Sequence, residues 1–326
     1  MNPHEIRTIF MGSPAFAVPA LRALVEAGYP IVAVYAQPDR PAGRGRALVA
    51  PEVKRVAAEY GLTVLQPERL RTAEAREQLQ QLRPDLIVVA AYGQILRPAV
   101  IALPRFGCLN VHASLLPRHR GASAVAAAIL AGDAESGVSI MQIDPGMDTG
   151  PVLGRRSTPV LDGDTTGTLA DRLSRIGAEL LIETLPGWIA GHLRAVPQDE
   201  SHATLAPPIA KEDGTLDWTK PALRLWREVR AYYPWPVSST RLRGEPLQIL
   251  EAWPLGDTAP GATPGTVLTL PVDAALSDEQ RGQAAFAVAT GAGLLAPLRV
   301  RRAGRGAASA AEFARGAREL LGSVLG

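Results

Sequence analysis

The feature that most constrains the fold of this chain is a repeated alternation of short apolar runs with segments of helical spacing. Residues 85–91 form a nearly continuous apolar run, which is typical of a strand buried on both faces. Comparable runs stand at residues 6–11, 31–35, 107–112 and 138–143. Strands joined by intervening helices favour parallel pairing. The sequence therefore predicts an α/β fold with a doubly wound, Rossmann-like and mostly parallel sheet.

The sequence pattern changes after residue 190. Residues 191–210 contain three prolines and little periodicity, which predicts a linker. Residues 211–326 hold several short strand candidates separated by glycines, and such a series favours a small β-barrel. We therefore predict a first domain over residues 1–190, a linker over 191–210 and a smaller second domain over 211–326.

Composition excludes several classes of protein. Apolar residues make up 47% of the 326 positions, enough for a large core, and a formal net charge of +2 excludes a polycation. A single cysteine, Cys108, excludes an internal disulfide framework and a zinc site built on several thiolates. No apolar run has the length of a signal peptide core or a membrane span. We expect a cytoplasmic monomer with no metal and no membrane contact.

Polar residues cluster where predicted strands end. Asn110 and His112 are two positions apart on a predicted strand, so their side chains should share a face. Asp148 follows the next predicted strand, in the run Asp-Pro-Gly-Met-Asp-Thr-Gly. Ligand sites of open α/β sheets form at the carboxyl ends of strands. We therefore expect Asn110, His112 and Asp148 to lie together.

These three residue types suit acyl transfer to an amine. When an amine attacks a carbonyl group, the oxygen gains negative charge and the nitrogen must lose a proton. Asn110 could donate an amide N–H to that oxygen, and one such donor contributes about 3–4 kcal/mol. His112 could donate as well or move the proton, and Asp148 could orient the imidazole. The amine itself attacks, so no nucleophilic side chain is needed.

Other interpretations of the same motifs use different chemistry. An aspartic protease would use Asp148-Thr149-Gly150, but it needs a second carboxylate, and the sequence has no second Asp-Thr/Ser-Gly. A serine hydrolase is disfavoured because Ser114 and Ser123 lack the Gly-x-Ser-x-Gly elbow. A non-enzymatic RNA-binding module would explain the arginine clusters but would leave the polar trio without a role.

Two basic clusters predict contacts with nucleic acid. The first lies in residues 37–50, whose prolines and glycines predict an irregular loop. The second lies near the C-terminus. The arginines concerned are Arg40, Arg44, Arg46, Arg299, Arg301 and Arg302. Such clusters can bind phosphates even when the net charge of the chain is near zero.

In combination, the motifs resemble those of the folate-dependent formyltransferases. The resemblance rests on Asn110-x-His112, the Ser-Leu-Leu-Pro run at residues 114–117, Arg120-Gly121 and residues 148–150. Residues 37–45 resemble the loop of the branch that acts on initiator methionyl-tRNA. Residues 211–218 and 234–236 resemble the start of that branch's C-terminal domain. The likeness covers nearly the whole chain.

This resemblance implies formyl transfer from 10-formyltetrahydrofolate to the α-amino group of methionine on initiator tRNA, for translation initiation. Asn110, His112 and Asp148 would form the catalytic trio of the first domain. The folate site would be lined by Ser114, Leu115, Leu116 and Pro117. The second domain would be an OB-like barrel that binds tRNA, and the clustered arginines become candidate tRNA contacts.

Some positions differ from the residues usual in this family. They are Ala113, His119, Ala124, Leu205 and Pro208. All members of the trio are present, so these differences bear on the acceptor contacts and the fit of the folate pocket. Within the family, the alternatives are transfer to a sugar-nucleotide amine and hydrolysis of formyltetrahydrofolate. The basic loop and the barrel-like C-terminal part favour tRNA over both.

Overall fold

The computed structural model describes residues 3–42, 47–256, 261–317 and 319–326. The chain divides into two compact units, which are described separately. The first comprises Met1–Ala124, Glu135–Pro159 and Leu169–Pro207, and the second Val125–Ala134, Val160–Thr168 and Pro208–Gly326. The predicted boundaries at residues 190 and 210 stay a prediction.

A seven-stranded sheet forms the centre of the first unit. The strands of this unit within the described ranges are β1 (Thr8–Gly12), β2 (Ile31–Tyr35), β3 (Arg40–Ala42), β4 (Ala47–Val49), β5 (Val64–Leu65), β6 (Leu86–Ala90), β7 (Cys108–His112), β8 (Glu135–Gln142) and β9 (Val152–Pro159). The order in the large sheet is β5-β2-β1-β6-β7-β8-β9. The first five strands pair in parallel, whereas β8 runs antiparallel to β7 and β9 antiparallel to β8. The predicted mostly parallel sheet is confirmed.

Helices alternate with these strands along the chain, as the sequence pattern predicts. They are α1 (Val18–Glu26), α2 (Glu52–Glu59), α3 (Ala73–Gln81), α4 (Pro98–Ile101), α5 (Ala124–Ala131) and α6 (Thr166–Ile189). Local chemistry sets where some of them begin. Thr72 precedes α3, and its hydroxyl accepts a hydrogen bond from the Ala75 N–H at 3.3 Å, the usual role of a threonine at this position.

The interior of the sheet is apolar on both faces. Every residue of β1 and β6 is buried, which agrees with the continuous apolar runs that predicted these strands. Cys108 on β7 is fully buried, and burial raises the pKa of its thiol to about 12. The thiol is therefore a structural side chain and has no thiolate character at neutral pH.

The segment at residues 37–50 is not the wholly irregular loop that its prolines predict. Strands β3 and β4 pair antiparallel, with Pro41 opposite Leu48. A proline cannot donate to a central ladder but is tolerated in an edge strand, and both strands of a two-stranded ribbon are edges. Leu48 and Val49 are exposed on this ribbon. Residues 43–46 lie outside the described ranges.

The second unit is built around a curled antiparallel sheet. Its strands in the described ranges are β10 (Ser239–Leu242), β11 (Glu245–Leu255), β12 (Val267–Thr269), β13 (Phe286–Ala289), β14 (Leu294–Arg302) and β15 (Ala307–Ser309), and its helices include α7 (Ala222–Ala231), α8 (Asp278–Gln283) and α9 (Ala310–Gly316). The order is β10-β11-β14-β13-β12, with β15 paired to β14. The C-terminal residues bridge both edges, since Leu325 pairs with Leu242 and Val324 with Thr266. The predicted small barrel is confirmed.

Aromatic residues fill the core of this barrel. The rings of Trp226 and Trp253 meet edge to face with centroids 5.5 Å apart. The buried Trp218 indole donates from Nε1 to the Thr240 hydroxyl at 3.0 Å, so its polar atom is satisfied.

No helix in the part of the chain that the structure describes is long and apolar enough to cross a membrane.

A close contact between α6 and the sheet yields a stability prediction. A Cβ atom at Gly177 would lie 2.6 Å from Val111 Cγ1 and 3.2 Å from Val138 Cγ1. We expect Gly177→Ala to lower the free energy of unfolding by about 1–3 kcal/mol through overpacking, although alanine favours helices by about 1 kcal/mol. Urea unfolding measures the change.

Gly187→Ala in the same helix is the matched control. Its Cβ would meet Leu193 Cβ at 3.4 Å, an ordinary contact. Gly187→Ala should therefore leave stability unchanged or raise it. Equal destabilisation by both variants would contradict the packing argument.

Candidate active site

Strand β7 places two of the three expected polar side chains on one face of the sheet. Val111 faces α6, because it lies next to Gly177 of that helix. Asn110 and His112 therefore point to the opposite face, since successive side chains on a strand alternate. Asn110 is half-buried and His112 is 7% exposed. The strand thus presents an amide and an imidazole in fixed positions.

Asp148 reaches this face by a different route from the one expected. Because β8 is antiparallel to β7, Gln142 at its end pairs with Leu109 near the start of β7. The expectation that Asp148 shares a carboxyl-end edge with His112 is therefore wrong. The loop after β8 instead folds back to the polar face. Asp148 Oδ1 lies 3.4 Å from Asn110 Nδ2, and Asp148 Oδ2 lies 3.6 Å from His112 Nδ1.

The loop that carries Asp148 is held in a turn of its own. Asp148 has φ +53°, in the left-handed region, where a residue other than glycine costs about 1–3 kcal/mol. Asp144 stabilises the turn, since its Oδ1 accepts from the Gly146 N–H at 3.0 Å and from the Thr149 hydroxyl at 2.7 Å. Other polar members of the 144–150 motif therefore shape the loop that presents Asp148.

A backbone donor orients the Asp148 carboxylate. The Gly121 N–H donates to Oδ2 at 2.8 Å. Gly121 has φ +116°, and a Cβ there would lie 2.6 Å from the Ala206 carbonyl oxygen. Only glycine fits this position without a shift, which explains the glycine that follows Arg120 in the motif.

The imidazole of His112 is held through its Nε2 atom. Nε2 lies 3.1 Å from the carbonyl oxygen of His119. A carbonyl only accepts, so Nε2 carries a proton in this arrangement. Nδ1 faces Asp148. The contact with His119 uses its backbone, so the side chain at this unusual position does not enter it.

The four residues expected to line the folate site divide into two pairs. Ser114 and Leu116 are buried, and both are anchored to Ser139, whose hydroxyl donates to the Ser114 carbonyl at 2.7 Å and accepts from the Leu116 N–H at 3.0 Å. Leu115 and Pro117 are half-buried and retain accessible surface. Leu115 and Pro117 are therefore the members that a ligand can reach.

The contacts that hold the Arg120 side chain were not predicted from the sequence. The Arg120 side chain is almost entirely buried and forms an ion pair with the exposed Glu200 at 2.7 Å. This hydrogen-bonded contact raises the pKa of Arg120 and lowers that of Glu200. Arg120 also donates to Gln198 Oε1 from Nε at 3.1 Å and from Nη2 at 2.9 Å. Gln198 and Glu200 lie in the predicted linker, where no local sequence pattern predicts contacts with a buried arginine.

The structure separates the arginines of the C-terminal cluster. Arg299 is exposed and Arg301 half-buried on the same face of β14, where Arg301 Nε donates to Gln248 Oε1 at 2.7 Å. Arg302 lies on the opposite face, with its guanidinium 4.7 Å from the centre of the Phe313 ring. Arg299 and Arg302 are thus exposed to a partner, Arg302 beside the Phe313 ring, whereas Arg301 is half-buried and oriented by Gln248.

In the first cluster, Arg40 is exposed on β3. Arg44 and Arg46 lie outside the described residues.

Within the described ranges no three His, Cys, Asp or Glu side chains come together in a group that could hold a metal ion.

Profiles of known protein families match both parts of the chain. The formyl transferase family matches residues 6–185, and the formyl transferase C-terminal domain matches residues 208–318. The methionyl-tRNA formyltransferase of Methylococcus capsulatus is 49% identical over 321 residues, covering 98% of this chain and 100% of that protein. That of Halorhodospira halophila is 48% identical, covering 97% and 98%.

More distant solved structures share the fold. An N-formyltransferase from Helicobacter canadensis, in complex with folinic acid and dTDP-3-aminofucose, has a TM-score of 0.63 at 17% identity and covers 90% of this chain and 99% of its own. HypX from Aquifex aeolicus, in complex with tetrahydrofolic acid, has a TM-score of 0.61 at 18% identity and covers 94% and 46%. With near-full-length relatives at almost half identity, the chain belongs to the formyltransferase family, in the branch of the methionyl-tRNA formyltransferases.

Proposed function

We propose that this protein transfers the formyl group of 10-formyltetrahydrofolate to the α-amino group of methionine on initiator methionyl-tRNA, for translation initiation. The observation that carries this function is the 49% identity to a methionyl-tRNA formyltransferase along the full length of both proteins. Sugar formyltransferases among the solved structures resemble this chain only in fold, at 16–21% identity. We therefore favour the tRNA-linked amine as acceptor.

The reaction needs few groups from the protein. The folate supplies an activated formyl group on N10. A C–N bond forms between the formyl carbon and the methionyl amine, and the bond from that carbon to N10 breaks. The proton lost by the amine balances the proton gained by N10. The protein has to position the two substrates, stabilise the carbonyl oxygen and carry one proton.

We assign the stabilisation of the carbonyl oxygen to Asn110. Its amide lies on a central strand and, among the described residues, makes a single side-chain contact, a long one of 3.4 Å with Asp148. An N–H group is therefore free to turn toward a carbonyl oxygen beside the strand. Because the strand fixes the backbone, this donor needs little reorganisation as negative charge develops.

We assign proton movement to the pair formed by His112 and Asp148. Their facing atoms, Nδ1 and Oδ2, lie 3.6 Å apart on the same face as Asn110. Gly121 fixes Oδ2 from the other side. A carboxylate placed this way can take a proton from the attacking amine, directly or through water. The protonated carboxyl group can then share that proton with His112 Nδ1 until N10 of the folate takes up a proton. Leu115 and Pro117 supply apolar surface for the folate.

We propose that Arg40, Arg299 and Arg301 contact tRNA phosphates. Arg40 and Arg299 are exposed, and Arg301 is oriented by Gln248. Arg44 and Arg46 remain tRNA contacts predicted from the sequence alone, and Arg302, which is exposed beside the Phe313 ring, stays a candidate tRNA contact. The proposal also includes a monomer that acts in the cytoplasm without a membrane contact.

Substitution of the trio tests the assigned chemistry. We expect Asn110→Ala to lower kcat for methionyl-tRNA formylation by about 100- to 1,000-fold, because one oxyanion donor is lost. Asp148→Asn keeps the shape but removes the base, and should lower kcat by about 100- to 10,000-fold. Rates at saturating folate and tRNA give these values.

Asp171→Asn, an identical change on the exposed surface of α6, is the control and should leave kcat unchanged. Thermal unfolding establishes that each variant is folded. A folded Asn110→Ala or Asp148→Asn variant with the turnover of the parent protein would refute the assigned roles.

Loss of the β14 arginines tests the proposed tRNA contact. We expect the double variant Arg299→Ala, Arg301→Ala to raise KM for tRNA and leave KM for folate unchanged. Each phosphate contact adds roughly 0.7–0.9 to the slope of log affinity against log salt. The double variant should therefore show a shallower salt dependence in a tRNA-binding titration.

Arg156→Ala is the matched control for charge. Arg156 is already paired with Glu179 and Glu183, so Arg156→Ala removes a positive charge that two carboxylates offset. Its tRNA affinity should stay that of the parent protein. An unchanged salt slope in the double variant, or an equal loss in the control, would count against the β14 contact.

A further inference from the structure

We infer that Gln198 is a positioning residue for the formyl-transfer reaction, acting through the loop that carries Asp148. The inference rests on the proposed function, because it assigns Gln198 a part in the same reaction. Gln198 lies outside the strands of the sheet and 50 positions beyond Asp148 in the sequence. Its side chain nevertheless connects the Asp148 loop to the buried Arg120.

Both protons of the Gln198 carboxamide are used on the Asp148 loop. Nε2 donates to the carbonyl oxygen of Asp148 at 2.7 Å and to that of Gly150 at 2.7 Å. One carbonyl belongs to Asp148, the left-handed residue of the turn, and the other to Gly150, two positions later. Gln198 therefore holds the backbone at the point where the loop turns the Asp148 side chain toward Asn110 and His112.

The oxygen of the same carboxamide is held by Arg120. Oε1 accepts from Arg120 Nε at 3.1 Å and from Nη2 at 2.9 Å. A guanidinium can only donate and a carbonyl can only accept, so the orientation of the Gln198 amide is fixed by its partners. With four hydrogen bonds, the side chain has no alternative arrangement of equal quality.

Arg120 is itself immobile. Its side chain is 5% exposed, and its backbone N–H donates to the Thr204 carbonyl at 2.9 Å, while its carbonyl accepts from the Ala206 N–H at 2.7 Å. The next residue, Gly121, donates to the Asp148 carboxylate. Asp148 is thus held at its side chain by Gly121 and at its backbone by Gln198, which Arg120 holds in turn.

This arrangement predicts which kinetic constant changes when Gln198 is replaced. If Gln198 is lost, Asp148 keeps its chemistry but loses part of its backbone support. A displacement of about 1 Å in a catalytic group can lower the rate by roughly 100-fold. Since Gln198 acts on the carboxylate that carries the proton, the effect should fall on kcat and leave KM for both substrates nearly unchanged.

The test compares two substitutions at Gln198. Gln198→Glu retains an acceptor for Arg120 but has no N–H for the carbonyls of Asp148 and Gly150. Gln198→Met is neutral and of similar length, which keeps the test valid if the new charge of the first variant at this half-buried position prevents folding. In each folded variant we expect kcat for methionyl-tRNA formylation to fall by about 10- to 100-fold. Parent-like kcat in a folded variant would overturn the inference.

Glu200→Gln is the matched control. Glu200 pairs with the same guanidinium but makes no hydrogen bond to residues 144–150 in the part of the chain that the structure describes. Its kcat should stay within about 2-fold of the parent value. An equal loss of kcat in this control would assign the effect to general anchoring of Arg120 and overturn the positioning role of Gln198.

A double variant separates positioning from a general loss of structure. If Gln198 acts through Asp148, then Gln198→Glu should cost much less in the Asp148→Asn background than in the parent protein. Fully additive losses would contradict the inference. Failure of the parent protein to formylate methionyl-tRNA would instead refute the proposed function, so the two failures are distinguishable.

Discussion

The site depends on holding one carboxylate, that of Asp148, in a strained turn beside two side chains of a central strand. Asn110 and His112 need no special support, because β7 lies between two other strands and fixes them. Asp148 is different, since it stands in a loop and has φ +53°. The Asp144 cap, the Gly121 N–H and the Gln198 carboxamide together stabilise that conformation. The proposed chemistry therefore depends on hydrogen bonds that fix the Asp148 loop.

Burial explains why this support is effective. His112 and Arg120 are each less than 10% exposed, so water competes little with their partners. Hydrogen bonds in such surroundings fix geometry, and an unmet polar group there would be costly. Close packing serves the same end on the other face, where Gly177 lets α6 approach Val111 directly behind the polar side chains.

Much of the fold could be predicted from the sequence, because period and apolar runs are local properties. The strands around Ile87 and the shared face of Asn110 and His112 follow from them. The direction of β8 does not, since strand pairing is a long-range choice, and the route of Asp148 was therefore mispredicted. The ribbon that contains Pro41 was missed because prolines usually argue against strands, although edge strands tolerate them. Gln198 was missed because no local pattern shows which linker side chain will find a buried partner.

The central proposal is that this protein formylates an amine carried by tRNA, using the polar face of β7 and the Asp148 loop. The most direct test gives the protein 10-formyltetrahydrofolate and compares charged initiator tRNA with an amino-sugar nucleotide as acceptor. We predict efficient formylation of methionyl-tRNA, with kcat/KM at least about 100-fold above that for the sugar. Preferential formylation of the sugar, or hydrolysis of the folate without transfer, would contradict the account.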